Sequence, residues 1–147
     1  MSTPPDARLW IPSVLRGDFL PTASQLGALR LHIMRAPFIT ETSLLIHSER
    51  RIADQQWRRG ITADQYLGNL RSAVEVADHL LLYERHGGAM AAAVARTEAV
   101  VEESNRGSRT LPWLIVVYSV DRDRIITGYQ FSGLDALAIP EAAFWFS

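Results

Sequence analysis

The sequence predicts an α+β fold in which several helices are followed by a C-terminal antiparallel hairpin in a small sheet. Three observations carry that expectation. Apolar residues at three- and four-residue steps, in segments opened by Ser or Thr, recur through residues 22–81. Two runs rich in Ile and Val, 113–120 and 124–131, flank the charged turn Asp121-Arg122-Asp123. Length and composition fit a single globular domain over 1–147: with 48% hydrophobic and 21% charged residues, the chain can bury a core without covalent staples.

Taken in order, the N-terminal segment carries Pro4, Pro5, Pro12 and Pro21 and reads as extended or turn structure, with Trp10, Ile11, Val14, Leu15 and Phe19 able to pack onto a body. A helix follows over 22–36 behind a Thr22 or Ser24 cap, with Leu26, Leu29, Ile33 and Met34 inward, and Pro37 ends it. Thr42 or Ser43 opens a second helix reaching Arg59, with Gly60 as the stop. Thr62 opens a third, in which Tyr66, Leu67, Leu70, Val74, Ala77 and Leu81 repeat at helical steps, as one helix or as two broken near 68–72. After Gly87-Gly88, the Ala-rich stretch 89–105 predicts a further helix.

The hairpin comes next. Its first run is apolar on both faces, which predicts a central strand. In its second, strict alternation puts Ile125, Thr127, Tyr129 and Phe131 on one face and Arg124, Ile126, Gly128 and Gln130 on the other. The tail is a short helical turn and then Phe144, Trp145 and Phe146, too apolar to stand in water as a patch. They are expected to be covered by the segment Trp10–Phe19 or by a second copy of the chain in a homo-oligomer.

Composition removes several chemistries. There is no cysteine, hence no disulfide, zinc-thiolate site, iron–sulfur cluster or thiol nucleophile. All fifteen basic residues are Arg, so each cation is a planar fork suited to phosphate or carboxylate, and no amine is present for Schiff-base chemistry. The net charge of −1 argues against a surface that binds nucleic acid everywhere, while leaving a local basic patch open. Phosphate-binding glycine loops and the GxSxG elbow are absent, and no cofactor is expected. His79 and His86 could share a helix face, but no HExxH-type spacing accompanies them; no metal is expected, and His32 reads as structural. The N-terminus lacks the pattern of a signal peptide and no apolar run is long enough for a bilayer, so no membrane contact and a cytoplasmic location are expected.

Two rows of side chains carry the functional expectation. On a helix over 43–59, His47, Arg51, Asp54, Gln55 and Arg58 fall on one face. One imidazole beside two guanidiniums can hold a phosphate and move a proton near neutral pH. The competing reading is a solvated face with intrahelical pairs such as Asp54–Arg58. On the second strand, Thr127 and Tyr129 stand side by side, either to orient a phosphate or base or as ordinary strand residues.

A His- and Arg-bearing helix, "RRGIT" at 58–62 opening another helix, and "RIITGYQ" at 124–130 together resemble the small toxin ribonucleases of the barnase/RelE/colicin-type group, over about 44–132. The chain departs from that group in its slight acidity and in the Ala-rich segment before the hairpin. The resemblance implies metal-free RNA cleavage by attack of a ribose 2′-OH on the adjacent phosphate. His47 would move the proton, Arg51 and Arg58 would supply cations, and Thr127 and Tyr129 would supply hydrogen-bonding groups. It implies RNA as one partner and an antitoxin or target protein as another. The alternative is a non-enzymatic immunity, inhibitor or adaptor protein that binds a protein partner.

Overall fold

Among the described residues, four α-helices precede a five-stranded antiparallel sheet: α1 (Ile11–Leu15), α2 (Ala23–Arg35), α3 (Glu41–Ala53), α4 (Ala63–Glu75), then β1 (His79–Arg85), β2 (Gly88–Arg96), β3 (Trp113–Ser119), β4 (Arg124–Phe131) and β5 (Phe144–Phe146). The structure is a computed structural model and describes residues 9–101, 111–133 and 143–147. The strand order is β4-β3-β2-β1-β5. The α+β class is as predicted, but the sheet is far more than a C-terminal hairpin.

Local chemistry explains the helices. Thr22 and Thr62 each accept from the backbone N–H three residues on, and Gln25 and Gln65 return the bond, so α2 and α4 open with complete capping boxes. Pro37 pushes Ala36 into the extended region, which stops α2. The helix expected from Thr42 or Ser43 to Arg59 begins two residues earlier, capped by Thr40, and ends at Ala53. Tertiary packing ends it. Gln55 turns left-handed at φ 62°, and Trp57 is buried with its indole N–H donating to Asn69 at 2.9 Å. Asp54, Gln55 and Arg58 therefore do not extend the helical row of His47 and Arg51.

Helix α4 is unbroken through 68–72 but stops at Glu75, and Leu81 belongs to β1. Arg30 on α2 marks the stop. Its Nη1 lies 3.1, 3.2 and 2.9 Å from the carbonyl oxygens of Val74, Glu75 and Ala77, serving the C-terminal acceptors that a helix leaves unpaired. Arg30→Ala is expected to lower stability by roughly 1.5–3 kcal/mol in urea denaturation, the range for hydrogen bonds from a charged donor. An unchanged midpoint would show these bonds to be dispensable.

The largest correction concerns 89–105. The Ala-rich stretch is a strand, β2, followed by a 3₁₀ turn at Thr97–Ala99; residues 102–105 of the expected helix lie outside the described residues. Ala prefers a helix by at most ~0.7 kcal/mol per residue over ordinary residues, a preference that burial readily overrides. β2 is paired on both sides, and Ala91, Ala93 and Ala95 are buried beneath the helices, where small side chains let α4 approach. The turn into β2 is His86-Gly87, both at positive φ (53° and 77°), a two-residue hairpin loop between the paired Arg85 and Gly88. His79 and His86 thus stand at a strand start and in a turn, not on one helix face.

Register sorts the sheet into two faces. Leu80, Leu82, Ala91, Ala93, Leu114 and Val116 lie under the helices with Leu29, Ile33, Tyr66 and Leu70. Leu81, Tyr83, Ala92, Val94, Ile115 and Phe131 form a second, smaller buried cluster on the opposite face. A bulge opposite Tyr118 breaks the alternation expected for β4. Tyr118 pairs with Ile125 and Val117 with Thr127, leaving Ile126 unpaired. Ile125 consequently packs under the helices, while Tyr129 and Phe131 join the opposite cluster. In the tail, Phe144 and Phe146 pack with the core that includes Trp10, Ile11 and Val14, and β5 pairs with β1.

β3 is central as predicted, but β4 is the sheet's edge, and its outward backbone groups are met by other elements. Ile125 donates to Pro37 and accepts from Ile39, each at 2.9 Å. The Tyr66 hydroxyl donates to the Gly128 carbonyl at 2.6 Å and accepts from the Gly128 N–H at 3.2 Å. Gln56 accepts from the Gln130 N–H at 2.7 Å and from its side-chain amide. Such cover removes a template for strand addition. Tyr66→Phe is expected to cost about 1–3 kcal/mol, because it strands both backbone groups of Gly128. Heat denaturation followed by light scattering checks this; equal stability to the parent would contradict it.

Candidate active site

Helix α3 meets the outer edge of β4, and there the two rows seen in the sequence come together. The four-residue spacing of His47 and Arg51 puts both on one side of α3, and the two-residue spacing of Thr127 and Tyr129 puts both on one side of β4. His47 Nδ1 lies 3.0 Å from Thr127 Oγ1. The Arg51 guanidinium lies over the Tyr129 ring, 5.8 Å from its centre. Phe38, in the segment paired with β4, places its ring 5.5 Å from the imidazole and walls one side of it. Arg58 lies beyond the end of α3 and lines a cleft of about 520 Å³ with Trp57, Asn69 and Ser72.

The electrostatics of the cluster are those of a cationic, partly dry site. Burial, and then the charges of Arg51 and Arg50, hold the His47 pKa below 6.5, so the ring is mainly neutral at pH 7 and able to accept a proton. Burial raises the Tyr129 hydroxyl, opposed by Arg85 and Arg51, and the phenol stays protonated as a donor. Arg51 itself is largely buried, at 13% side-chain exposure. Its ion pair with Asp54 is long, 3.7 Å, and its Nε has no hydrogen-bond partner among the described residues. A buried guanidinium with unmet donors is costly unless an anion or water completes it.

The sign of the His47 shift is testable. In an NMR titration His47 is expected to protonate below pH 6.5, and Arg51→Gln is expected to move that midpoint upward by removing one of the lowering charges. A midpoint at or above 6.5 in the parent would contradict the electrostatic picture.

Three residues of this region escaped sequence reasoning. Burial pushes the Tyr66 hydroxyl up to about 12, and its bonds to Gly128 fix the strand next to Thr127. Burial pushes Tyr83 up to about 12 as well, with Arg85 opposing and Tyr129 adding to the shift. Tyr83 and Arg85 share with Thr127 and Tyr129 the sheet face away from the four helices, and their charges reach one another across it. The alternation Leu81, Tyr83, Arg85 before His86-Gly87 was the available signal. The helical spacing from Tyr66 to Leu81 masked it. His32 holds the β3–β4 turn instead: its Nε2 lies 2.8 Å from Asp123 Oδ1, which also accepts from the Tyr118 hydroxyl at 2.5 Å.

No protein-family profile, no curated protein and no solved structure matches the chain. Among the described residues no helix is long and apolar enough to cross a membrane, and no group of three His, Asp or Glu stands close enough to hold a metal ion.

Proposed function

We propose that the chain is a metal-independent ribonuclease of the toxin-like kind, acting at the junction of α3 and β4. The observation that carries this reading is the meeting of a neutral, Thr127-bonded His47 with the buried, incompletely satisfied guanidinium of Arg51. With Nδ1 engaged by Thr127, the Nε2 of His47 is the nitrogen left to take a ribose 2′-OH proton. The 2′-oxygen attacks the adjacent phosphorus and the bond to the 5′-oxygen breaks. The leaving oxygen takes the proton from the imidazolium, giving a 2′,3′-cyclic phosphate and a 5′-OH. Arg51 neutralises charge on the non-bridging oxygens, and the protonated Tyr129 hydroxyl donates to them.

Purified protein in EDTA is expected to cut single-stranded RNA and to leave DNA of the same sequence intact, since DNA lacks the nucleophile. Intact RNA, or equal cutting of DNA, contradicts the reading. The second reading, a non-enzymatic immunity, inhibitor or adaptor protein, is favoured by a different observation. Leu45 and Ile46, neighbours on α3, are exposed, as is Leu31 on α2, and exposed large apolar side chains suit a protein partner. On that reading the protein leaves RNA whole, does not slow bacterial growth when expressed, and is recovered in a stable complex.

A further inference from the structure

The sheet face away from the four helices carries a second cluster of rings, drawn from β1, β3 and β5. His79 stands between two indoles: its ring centre is 6.4 Å from that of Trp113 and 6.1 Å from that of Trp145. Arg96, the cross-strand partner of Trp113, lays its guanidinium 4.2 Å from the Trp113 ring centre. Register places all four on the same side as Thr127 and Tyr129: His79 shares a cross-strand row with Tyr129, and Trp145 shares one with Thr127. Trp145 is 42% exposed and Arg96 is exposed.

We infer that this cluster is a stacking platform for unpaired bases of single-stranded RNA, a subsite remote from the bond that is cut; the inference rests on the ribonuclease reading above. Sequence-tolerant recognition of single strands combines aromatic faces and Arg planes that take bases with positive charge that follows the phosphates. Here an open indole and a guanidinium already stacked on an indole supply the first, and Arg96 supplies the second. Three strand spacings separate His79 from Tyr129, about 14 Å, within reach of a short oligonucleotide that enters the α3–β4 site. A protein partner is the weaker fit, since the platform's outermost groups are a cation and an indole edge strand rather than a broad apolar patch.

The test uses the full chain carrying His47→Ala, so that binding is read without cleavage, and follows tryptophan fluorescence on adding oligouridylate. Trp10 and Trp57 are buried and act as a constant background. Quenching by the single strand and not by duplex RNA is expected, with affinity about tenfold weaker in Trp145→Ala, the effect of losing one stacking ring. Arg96→Ala is expected to weaken binding and reduce its salt dependence. Equal quenching by duplex, or both variants binding like the parent, overturns the platform. So does a fall in mass in light scattering on Trp145→Ala, which would make the face a contact between copies. Because no arm depends on turnover, failure here is distinct from absence of cleavage by the wild-type chain.

Discussion

Replacing His47 by Ala should slow RNA cleavage by about 10² to 10⁴, the usual contribution of a positioned acid–base group. The residue qualifies on position and on protonation. Thr127 holds one ring nitrogen at 3.0 Å, Phe38 walls the ring, and burial with Arg51 and Arg50 keeps it neutral near pH 7. The fold should survive, because His47 is only half buried on a helix whose cap, Thr40, is untouched. Circular dichroism and melting of the variant separate lost chemistry from lost structure. In the parent the rate should fall as pH falls through the depressed His47 pKa, and that acidic limb should vanish in His47→Ala. A variant that retains its rate and its limb would place the base elsewhere.

Gly128→Ala should be strongly destabilising, because among the described glycines Gly128 leaves the least room for a Cβ. A Cβ built there would overlap one Leu70 methyl carbon and lie 2.8 Å from the other. Leu70 is fully buried in the core, so its methyl groups move aside only by displacing core neighbours. A shift of α4 would in turn disturb Tyr66, whose hydroxyl bonds both backbone groups of Gly128. Overpacking of this kind costs about 1–3 kcal/mol. Leu70→Ala alone opens a cavity, at a cost of about 2–5 kcal/mol. The double variant should be more stable than the sum of the two, since each change relieves the other. Additive losses in urea denaturation would mean that α4 does not rest on Gly128 as described.

The starts of α2 and α4 were legible because caps and apolar steps are local features; α1, in the proline-bearing segment read as extended or turn structure, was not. Thr22 and Thr62 mark the starts of α2 and α4 to within a residue, and Pro37 marks the end of α2, whereas α4 stops at Glu75, six residues short of the Leu81 to which its helical steps were read. The hairpin was legible for the same reason, in its two β-branched runs. What the sequence concealed depends on distant partners. Ala residues in β2 look helical until β1 and β3 flank them and α4 covers them. The end of α3 is set by where Trp57 docks against Asn69, and so Arg58, grouped with His47 and Arg51 on one helix face, lies beyond the end of α3. The meeting of His47 with Thr127 joins residues eighty positions apart, and no local pattern encodes that distance. The bulge at Ile126 is likewise invisible to strict alternation, and it changes which face Ile125 takes.

The ends left on the RNA test the central claim most directly. Single-stranded RNA incubated with the purified chain in EDTA should yield fragments ending in 2′,3′-cyclic phosphate and beginning with 5′-OH, and none with the His47→Ala variant. Fragments bearing 5′-phosphate, or cleavage that persists undiminished without His47, would contradict 2′-OH attack at the α3–β4 site. RNA left whole by the wild-type chain would contradict ribonuclease activity altogether.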